Sequence, residues 1–273
     1  MRVYYEIHPS TLGRVMYRIR DALMARKPTG VLRARGEADV QVIDVIGPGA
    51  LEFLGRGREY VIMQHCWTTS WRGIDFWKPI WDKARLVVSY HDLPYDRYLR
   101  IPWGADFEFF RAQERVVKYG VMTTGYDEYQ EAIVEPIAAS NRFGWPGVQV
   151  GNPLSERRLW VDHRSDVSDD EMRRLYSQSA WVAAMRWGEG FELPAVEGLA
   201  CGARPICFDT PGYRHWFGDH AVYVEERREG LVDRIAEAMG SGPRPVSAEE
   251  RTELEQTFGW NVIAKKFWEA VLR

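Results

Sequence analysis

Two glutamates, Glu189 and Glu197, lie on either side of the start of a predicted helix. Carboxylates accept hydrogen bonds from hydroxyl groups, and charge-assisted hydrogen bonds are the stronger kind. Between the two, the backbone N–H groups around Phe191 to Leu193 lie at the positive end of the helix dipole, which attracts phosphate or another oxygen-rich ligand. A helix end that binds anions, flanked in sequence by two carboxylates that can accept hydrogen bonds from hydroxyl groups, would suit a nucleotide sugar.

The elements that must position these residues can be read from the surrounding pattern. The apolar run Trp181–Met185 is short enough for a buried strand, and a glycine-containing loop follows it. A helix then begins near Glu192, with Pro194 in its first turn, where a missing N–H costs little. Gly202 is placed to end that helix, and the apolar run Pro205–Phe208 follows directly. Strand, loop, helix and strand in this order predict one βαβ unit of a parallel sheet.

The segment Glu189-Gly-Phe-Glu-Leu-Pro-Ala-Val-Glu197 resembles the E-x7-E motif of retaining GT-B glycosyltransferases, and especially of glycosyltransferase family 4. The sequence on both sides of the motif resembles that family as well. The resemblance implies that Glu189 holds the hydroxyls of a donor sugar and that Glu197 holds a ribose diol. It also implies that the Gly190 and Phe191 amides contact the sugar and phosphate, with Leu193 completing the donor site. The alternative is an ordinary βαβ unit whose glutamates are exposed.

A histidine follows the predicted strand Arg85–Tyr90. Open α/β sheets bind ligands at the carboxyl ends of their strands, where His91 lies. A histidine there can exchange protons near neutral pH or donate to a sugar hydroxyl. The resemblance implies that His91 faces the donor sugar, as a catalytic residue beside Glu189. The alternative is a histidine that caps a turn together with Asp92.

A second glycine loop lies near the start of the chain. Val3–Ile7 is predicted to be a strand, and an amphipathic helix that ends near Arg26 follows it. Gly13 and Arg14 lie between the two elements, and the resemblance implies that they lie near the donor phosphates. An ordinary strand–helix turn is an equal alternative.

The resemblance further implies an α/β GT-B fold, with two Rossmann-like domains that face each other across a cleft. The turn-forming segment Asn141–Pro146 is the best linker candidate. We therefore predict an N-terminal acceptor domain over 1–145 and a nucleotide-sugar-binding domain over 146–258. The last helix, within 259–273, is expected to cross back onto the first domain.

With that boundary, the second domain is shorter than the family pattern. The family carries an arginine and a lysine that hold the diphosphate, and this chain has no counterpart of either in the expected place. Arg186, Arg157 and Arg158 are possible substitutes. Arg186 is the most notable, because it stands three residues before Glu189. The alternative for each of them is an ordinary surface arginine.

Composition limits the remaining function classes. The 273 residues are 45% hydrophobic and 27% charged, which is typical of globular proteins. A pI near 6.1 argues against a broad basic face for nucleic acid. Three cysteines without metal-site spacing favour reduced thiols, and no apolar run is long enough to span a membrane, so we expect a cytoplasmic protein. Twelve tryptophans are unusual, and the four between 67 and 81 could pack helices or line an acceptor cleft.

The sequence therefore favours a retaining glycosyltransferase that uses a nucleotide-diphosphate sugar as donor substrate. The resemblance implies front-side attack, in which the donor phosphate takes the acceptor proton and no protein nucleophile is needed. No Asp-x-Asp motif is present, so we expect no metal ion and no cofactor. The default acceptor is a saccharide or small molecule, with modified DNA or protein as further options. Two alternatives stay open: a binding or partner protein of the same fold without turnover, and another GT-B-like enzyme such as an epimerase.

Overall fold

The computed structural model describes residues 1–7, 14–45, 57–65, 74–111 and 116–273. The chain forms two compact α/β units, and each is built around a parallel six-stranded sheet. The first unit contains Met1–Gly104 and Trp260–Arg273, and the second contains Ala105–Gly259. The α/β class with two Rossmann-like units is thus as predicted.

Twelve strands are present in the described residues. They are β1 (Arg2–Glu6), β2 (Leu32–Arg33), β3 (Ala38–Val45), β4 (Gly57–Gln64), β5 (Leu86–Ser89), β6 (Tyr98–Arg100), β7 (Tyr119–Gly125), β8 (Gly147–Gly151), β9 (Val161–Arg164), β10 (Ser179–Ala184), β11 (Arg204–Phe208) and β12 (Val222–Val224).

Nine α-helices and one short 3-10 helix, Gly218–His220, accompany the strands in the same described parts of the chain. The α-helices are α1 (Arg14–Ala25), α2 (Ile74–Trp81), α3 (Val134–Arg142), α4 (Asp169–Ser177), α5 (Leu193–Ala200), α6 (Pro211–Phe217), α7 (Leu231–Met239), α8 (Ala248–Phe258) and α9 (Trp260–Leu272). None of the helices in these described residues is long and apolar enough to cross a membrane.

The second sheet has the strand order β12-β11-β10-β7-β8-β9, with every pair parallel. The chain runs outward from β7 through β8 to β9, and then returns to place β10 on the other side of β7. Val182 of β10 is in register with Met122 of β7. The strand order reverses between β7 and β10, and open α/β sheets bind their ligands outside the carboxyl ends of the strands at such a point.

The boundary between the units differs from the predicted one at 145/146. Strands β7 and β8 belong to the second sheet, since β7 pairs with β10, and the chain enters this unit at Ala105. The turn-forming segment that was predicted to be a linker connects α3 to β8 within the second unit. The expectation of a shortened second domain rested on that boundary, and with the boundary at Ala105 both units have six strands.

The last helix, α9, belongs to the first unit, where it packs against α1. The indole N–H of Trp268 donates to the Leu23 carbonyl at 2.9 Å, and Arg26 Nε donates to Asn261 Oδ1 at 2.7 Å. In the same unit, Trp77 and Trp81 are buried in the core beside β4 and β5. Two of the four clustered tryptophans therefore pack the core, and Trp67 and Trp71 lie outside the described residues.

A buried ion-pair network anchors α8 to the second sheet. Arg204 of β11 donates to both carboxylate oxygens of Glu250, from Nη1 to Oε1 at 2.5 Å and from Nη2 to Oε2 at 3.1 Å. His220 Nδ1 lies 2.8 Å from Oε1 of the same carboxylate. Burial by itself raises the pKa of Glu250, but the bonds from Arg204 and His220 outweigh it and lower that pKa to about 2. The ionised form of Glu250 is therefore bound more strongly in the folded chain than in the unfolded chain.

We predict that Glu250→Gln lowers the free energy of unfolding by about 3 kcal/mol at neutral pH, because it leaves Arg204 buried without its counter-charge. The wild-type contribution of Glu250 should be complete above its ordinary carboxyl pKa, and should be lost as pH falls from about 4.5 toward about 2. Urea unfolding at several pH values measures both effects. The exposed Glu253 of the same helix supplies the control Glu253→Gln, and an equal loss in both variants would contradict the assignment.

Candidate functional site

A crevice opens where the strand order of the second sheet reverses. Residues from the ends of β7 and β10, from the loops after them and from the start of α5 line it: Thr123, Thr124, Glu131, Ala132, Ile133, Ala183, Ala184, Met185, Arg186, Glu192 and Pro194. The predicted donor motif thus lies at the point where an open α/β sheet binds its ligands.

Backbone hydrogen bonds join the loop after β7 to the loop after β10. The Ala132 N–H donates to the Met185 carbonyl at 2.9 Å, and the Trp187 N–H donates to the Gln130 carbonyl at 3.0 Å. Glu131 and Arg186 form an antiparallel bridge between these two bonds. The loop that leads into α5 is therefore held in place by a chain segment more distant in sequence.

Helix α5 begins at Leu193, one residue after the predicted start, with Pro194 in its first turn. It ends as the sequence predicts, because Gly202 has a φ of 91° and the N–H of Ala203 donates to the Gly198 carbonyl at 2.8 Å. At the other end, the N–H groups of Gly190, Glu192 and Leu193 have no acceptor among the described residues. These unpaired donors make the start of α5 a candidate anion-binding site.

The backbone of this loop touches the start of α6. A Cβ on Gly190 would lie 2.8 Å from Cα of Gly212, and a Cβ on Gly212 would lie 2.6 Å from Cα of Gly190. These distances are too short for any side chain, and the neighbouring atoms are backbone atoms that cannot rotate away. The glycine pair therefore sets how the loop passes over the start of α6.

The two motif glutamates are both buried, with 8% of Glu189 and 3% of Glu197 exposed. The Glu189 carbonyl accepts a bond from Thr210 Oγ1 at 3.4 Å. Oε2 of Glu197 accepts a hydrogen bond from the Tyr176 hydroxyl of α4 at 3.2 Å. Glu189 therefore lies in the loop that leads into α5, and Glu197 lies within α5, where a neighbouring helix holds its carboxylate.

Phe191 and Leu193, the other motif residues predicted to bind the donor, have buried side chains. The Phe191 ring stacks on Phe217 with centroids 5.7 Å apart and packs near Phe258 at 6.2 Å. This packing fixes the loop against α6 and α8. Because the Phe191 ring is buried there, only the backbone of Phe191 would be left to contact a ligand.

Arg186 lies at the crevice as predicted, but it already has partners. Its Nη2 donates to Gln130 Oε1 at 3.2 Å, and its Nη1 lies 3.6 Å from Glu131 Oε1. The other oxygen of Glu131 accepts the N–H of Tyr126 at 2.9 Å. Arg186 and Glu131 therefore form a positioned ion pair.

Other arginines lie around the carboxyl ends of the second sheet. Arg157 and Arg158, the other predicted substitutes, are exposed in the loop after β8. Arg228 was not identified from the sequence. It donates from Nη2 to the Tyr129 carbonyl at 2.6 Å, and its guanidinium carbon lies 4.4 Å from the centre of the Trp187 ring. No local pattern marks Arg228, because it comes from the loop after β12.

Glu192 is a further residue whose role the sequence did not reveal, although it lies inside the motif. It occupies the N-cap position of α5 in extended conformation, and its side chain makes no capping hydrogen bond. Burial raises the pKa of Glu192 to about 8, Arg186 opposes that rise, and Glu189 and Glu131 add to it. Glu192 as a whole is half-buried and lines the crevice.

The remaining predicted residues belong to the first unit. His91 follows β5 directly after Tyr90, its N–H donates to Ser89 Oγ at 3.1 Å, and its ring lies 4.2 Å from that of Tyr90. Its position at a strand's carboxyl end is therefore as expected. Gly13 lies outside the described residues, and of Arg14 only the backbone, which begins α1, is described.

A buried polar network beneath His91 was also missed. His65 Nε2 lies 2.5 Å from Oδ1 of Asp44, and the Tyr5 hydroxyl donates to the same oxygen at 3.3 Å. The Tyr90 hydroxyl donates to the His65 carbonyl, which ties the residue on which His91 packs to this network. These residues end neighbouring strands, and only the topology of the sheet brings them together.

The two parallel six-stranded sheets with their helices match the GT-B fold of glycosyltransferases, and solved structures of that class cover the whole chain. The Anabaena protein Alr3699/HepE, solved with UDP and glucose, matches with a TM-score of 0.75 at 12% identity, over 99% of both chains. Sucrose-phosphate synthase from Thermosynechococcus elongatus matches with a TM-score of 0.73 at 13% identity, over 99% of this chain and 98% of that one.

Sequence comparison gives a shorter match. A candidate glycosyltransferase, number 41, of Sulfolobus islandicus filamentous virus (isolate Iceland/Hveragerdi) is 40% identical over 48 residues. That segment is 18% of this chain and only 15% of the viral protein. No protein-family model matches the chain.

The glycine contact makes a direct prediction. Gly190→Ala should lower the free energy of unfolding by about 1–3 kcal/mol, because the methyl group would force the loop away from α6. It should also displace the start of α5 and weaken any ligand that binds there. Thermal unfolding checks the first effect and nucleotide binding checks the second. Gly36→Ala is the matched control, since a Cβ at Gly36 meets nothing within 4 Å, and similar losses in both variants would disprove the contact's importance.

Proposed function

We propose that the protein is a retaining glycosyltransferase that moves a sugar from a nucleoside-diphosphate sugar to an acceptor hydroxyl. The observation that carries the proposal is the start of α5, which lies at the strand-order reversal with unpaired N–H groups, with Glu189 in the loop before it and Glu197 within the helix. The fold supports it, since the matching Anabaena protein was solved with UDP and glucose. The reaction is proposed to need no metal ion, since the sequence contains no Asp-x-Asp motif, and no cofactor besides the donor substrate.

The donor diphosphate would lie at the start of α5. Backbone N–H groups of Gly190 and Leu193, together with the helix dipole, would stabilise the charge that develops on the leaving diphosphate. These donors are fixed by the fold before the substrate arrives, so little reorganisation is needed at the moment of reaction. Arg228 could add positive charge from the neighbouring loop, where Tyr129 and Trp187 hold its guanidinium.

The two motif glutamates would orient the rest of the donor. Glu189 would accept hydrogen bonds from the sugar hydroxyls, and Glu197 would accept them from the ribose diol. Tyr176 already donates to Glu197 and would keep its carboxylate in one orientation. Retention would follow from attack on the same face as the leaving diphosphate, whose oxygen takes the acceptor proton. His91 is proposed as a further residue that faces the donor sugar.

The charged residues that line the crevice favour a second candidate function, that of a binding protein with this fold and no catalytic turnover. Arg186 is paired with Glu131, so it does not act as a free cation beside the proposed diphosphate position. Glu192 adds a further carboxyl group at that place. A diphosphate would therefore meet an acidic lining unless helix N–H groups and neighbouring arginines outweigh it.

Donor binding and donor hydrolysis separate the two candidates. A transferase should be stabilised against heat by at least one member of a panel of nucleoside diphosphates and sugar nucleotides, because a ligand that binds only the native state raises the Tm. It should also hydrolyse the matching sugar nucleotide slowly without acceptor. Nucleotide binding with neither hydrolysis nor transfer to any added acceptor would favour the second candidate. A Tm that no nucleotide raises would contradict the proposed function.

For the proposed transferase, Glu189→Gln should reduce sugar-nucleotide hydrolysis by about 100-fold or more, while UDP or another product nucleotide still binds. The reason is that the lost carboxylate would contact the sugar and not the nucleotide. Steady-state hydrolysis and calorimetric titration measure the two quantities. Glu237→Gln, an exposed change on α7, is the control, and wild-type turnover in Glu189→Gln would remove Glu189 from the site.

A further inference from the structure

Three carboxyl groups lie around the start of α5, and their surroundings differ. Glu131 has an ion pair with Arg186 and accepts backbone N–H groups from Tyr126 and Asp127. Glu189 is buried and has interactions of its own. The carboxyl group of Glu192 has no hydrogen-bond or ion-pair partner among the described residues, although Glu192 lines the same crevice. Glu192 is therefore the one of the three whose carboxyl group has no partner among the described residues.

The charge balance leads to the same assignment. Arg186 is the one cation among the residues that line the described crevice, and it is shared with Glu131. Like charges disfavour each other's ionised form, so a second nearby carboxylate is best accommodated as the neutral acid. A neutral carboxyl group still has an O–H donor, and a donor at this position would point toward the same ligand as the N–H groups of α5.

We propose that Glu192 binds the donor as a neutral carboxylic acid, which donates a hydrogen bond to a phosphate oxygen. This inference rests on the proposed function and names a specificity-determining residue for it. The carboxyl proton stays on Glu192 throughout, so the group acts in binding and does not take part in bond breaking. Ionised Glu192 would repel the diphosphate from the same place.

The groups that face Glu192 allow this state at neutral pH. Arg186, Glu189 and Glu131 act on it from the two loops, and burial has the largest effect in raising its pKa to about 8. Cys207 of β11 and Tyr213 of α6 also lie close enough to interact with Glu192, and burial raises the pKa of both well above their ordinary values. Both groups therefore stay uncharged in the range where Glu192 titrates.

The test is the pH dependence of nucleotide affinity. Because binding needs the protonated form, the Kd of UDP, or of whichever nucleoside diphosphate stabilises the protein, should rise about tenfold between pH 7 and pH 9. Glu192→Gln imitates the neutral acid and should bind at pH 7 within about threefold of wild type, with no such rise. Titration of the nucleotide itself affects both proteins equally, so the ratio of their Kd values isolates Glu192.

Two further variants keep the test decisive. Glu192→Ala should bind the nucleoside diphosphate more weakly than wild type at pH 7. Between pH 7 and pH 9 its Kd should change only as much as the Kd of Glu192→Gln does. Glu131→Gln should still show a rise in Kd with pH, moved to lower pH because one of the charges that raise the pKa of Glu192 is gone. If Glu131→Gln alone shows no rise at any pH, Glu131 and not Glu192 is the titrating group. Should variants fail to fold, the wild-type profile still decides, since a constant Kd would overturn the role of Glu192. Absence of nucleotide binding at every pH would overturn the proposed function as well.

Discussion

The pairing of β7 with β10 is the constraint on which the rest of the site depends. It joins two strands that are far apart in the chain and places their carboxyl ends side by side. The loops that follow then hydrogen-bond to each other through Ala132 and Met185 and through Gln130 and Trp187. These bonds fix the direction in which the chain enters α5. The positions of all the motif residues follow from that direction.

Local chemistry made part of this arrangement predictable. Pro194 and Gly202 mark the two ends of α5, because the missing N–H of a proline costs little in the first turn and a glycine readily takes the positive φ that ends a helix. The predicted helix differs from the observed one by about a residue. The assignment of each strand to the first or the second sheet was not predictable in the same way. Tyr119–Gly125 has the apolar pattern of any buried parallel strand, and nothing local states which sheet it joins.

In the candidate site, too, some residues were predictable from local sequence and others were not. The sequence identified the motif glutamates and Arg186, because their spacing lies within one loop and one helix. Gln130, Glu131 and Arg228 come from loops after other strands, so only the strand order brings them to the motif. Arg186 illustrates the consequence: its sequence position suggested a cation for phosphate, whereas the structure gives it a carboxylate partner from the loop after β7.

The crevice therefore depends on backbone dipoles for most of its positive potential. Unpaired N–H groups at the start of α5 are independent of pH and need no counter-ion, whereas the nearby side chains carry opposing charges that largely cancel. With Arg186 paired to Glu131, ionisation of Glu192 would add a negative charge at the helix end. Glu192 occupies the N-cap position, where an anion would normally be favoured by the dipole, but the same dipole is then neutralised for an incoming phosphate. A neutral Glu192 would leave the helix end available to a phosphate.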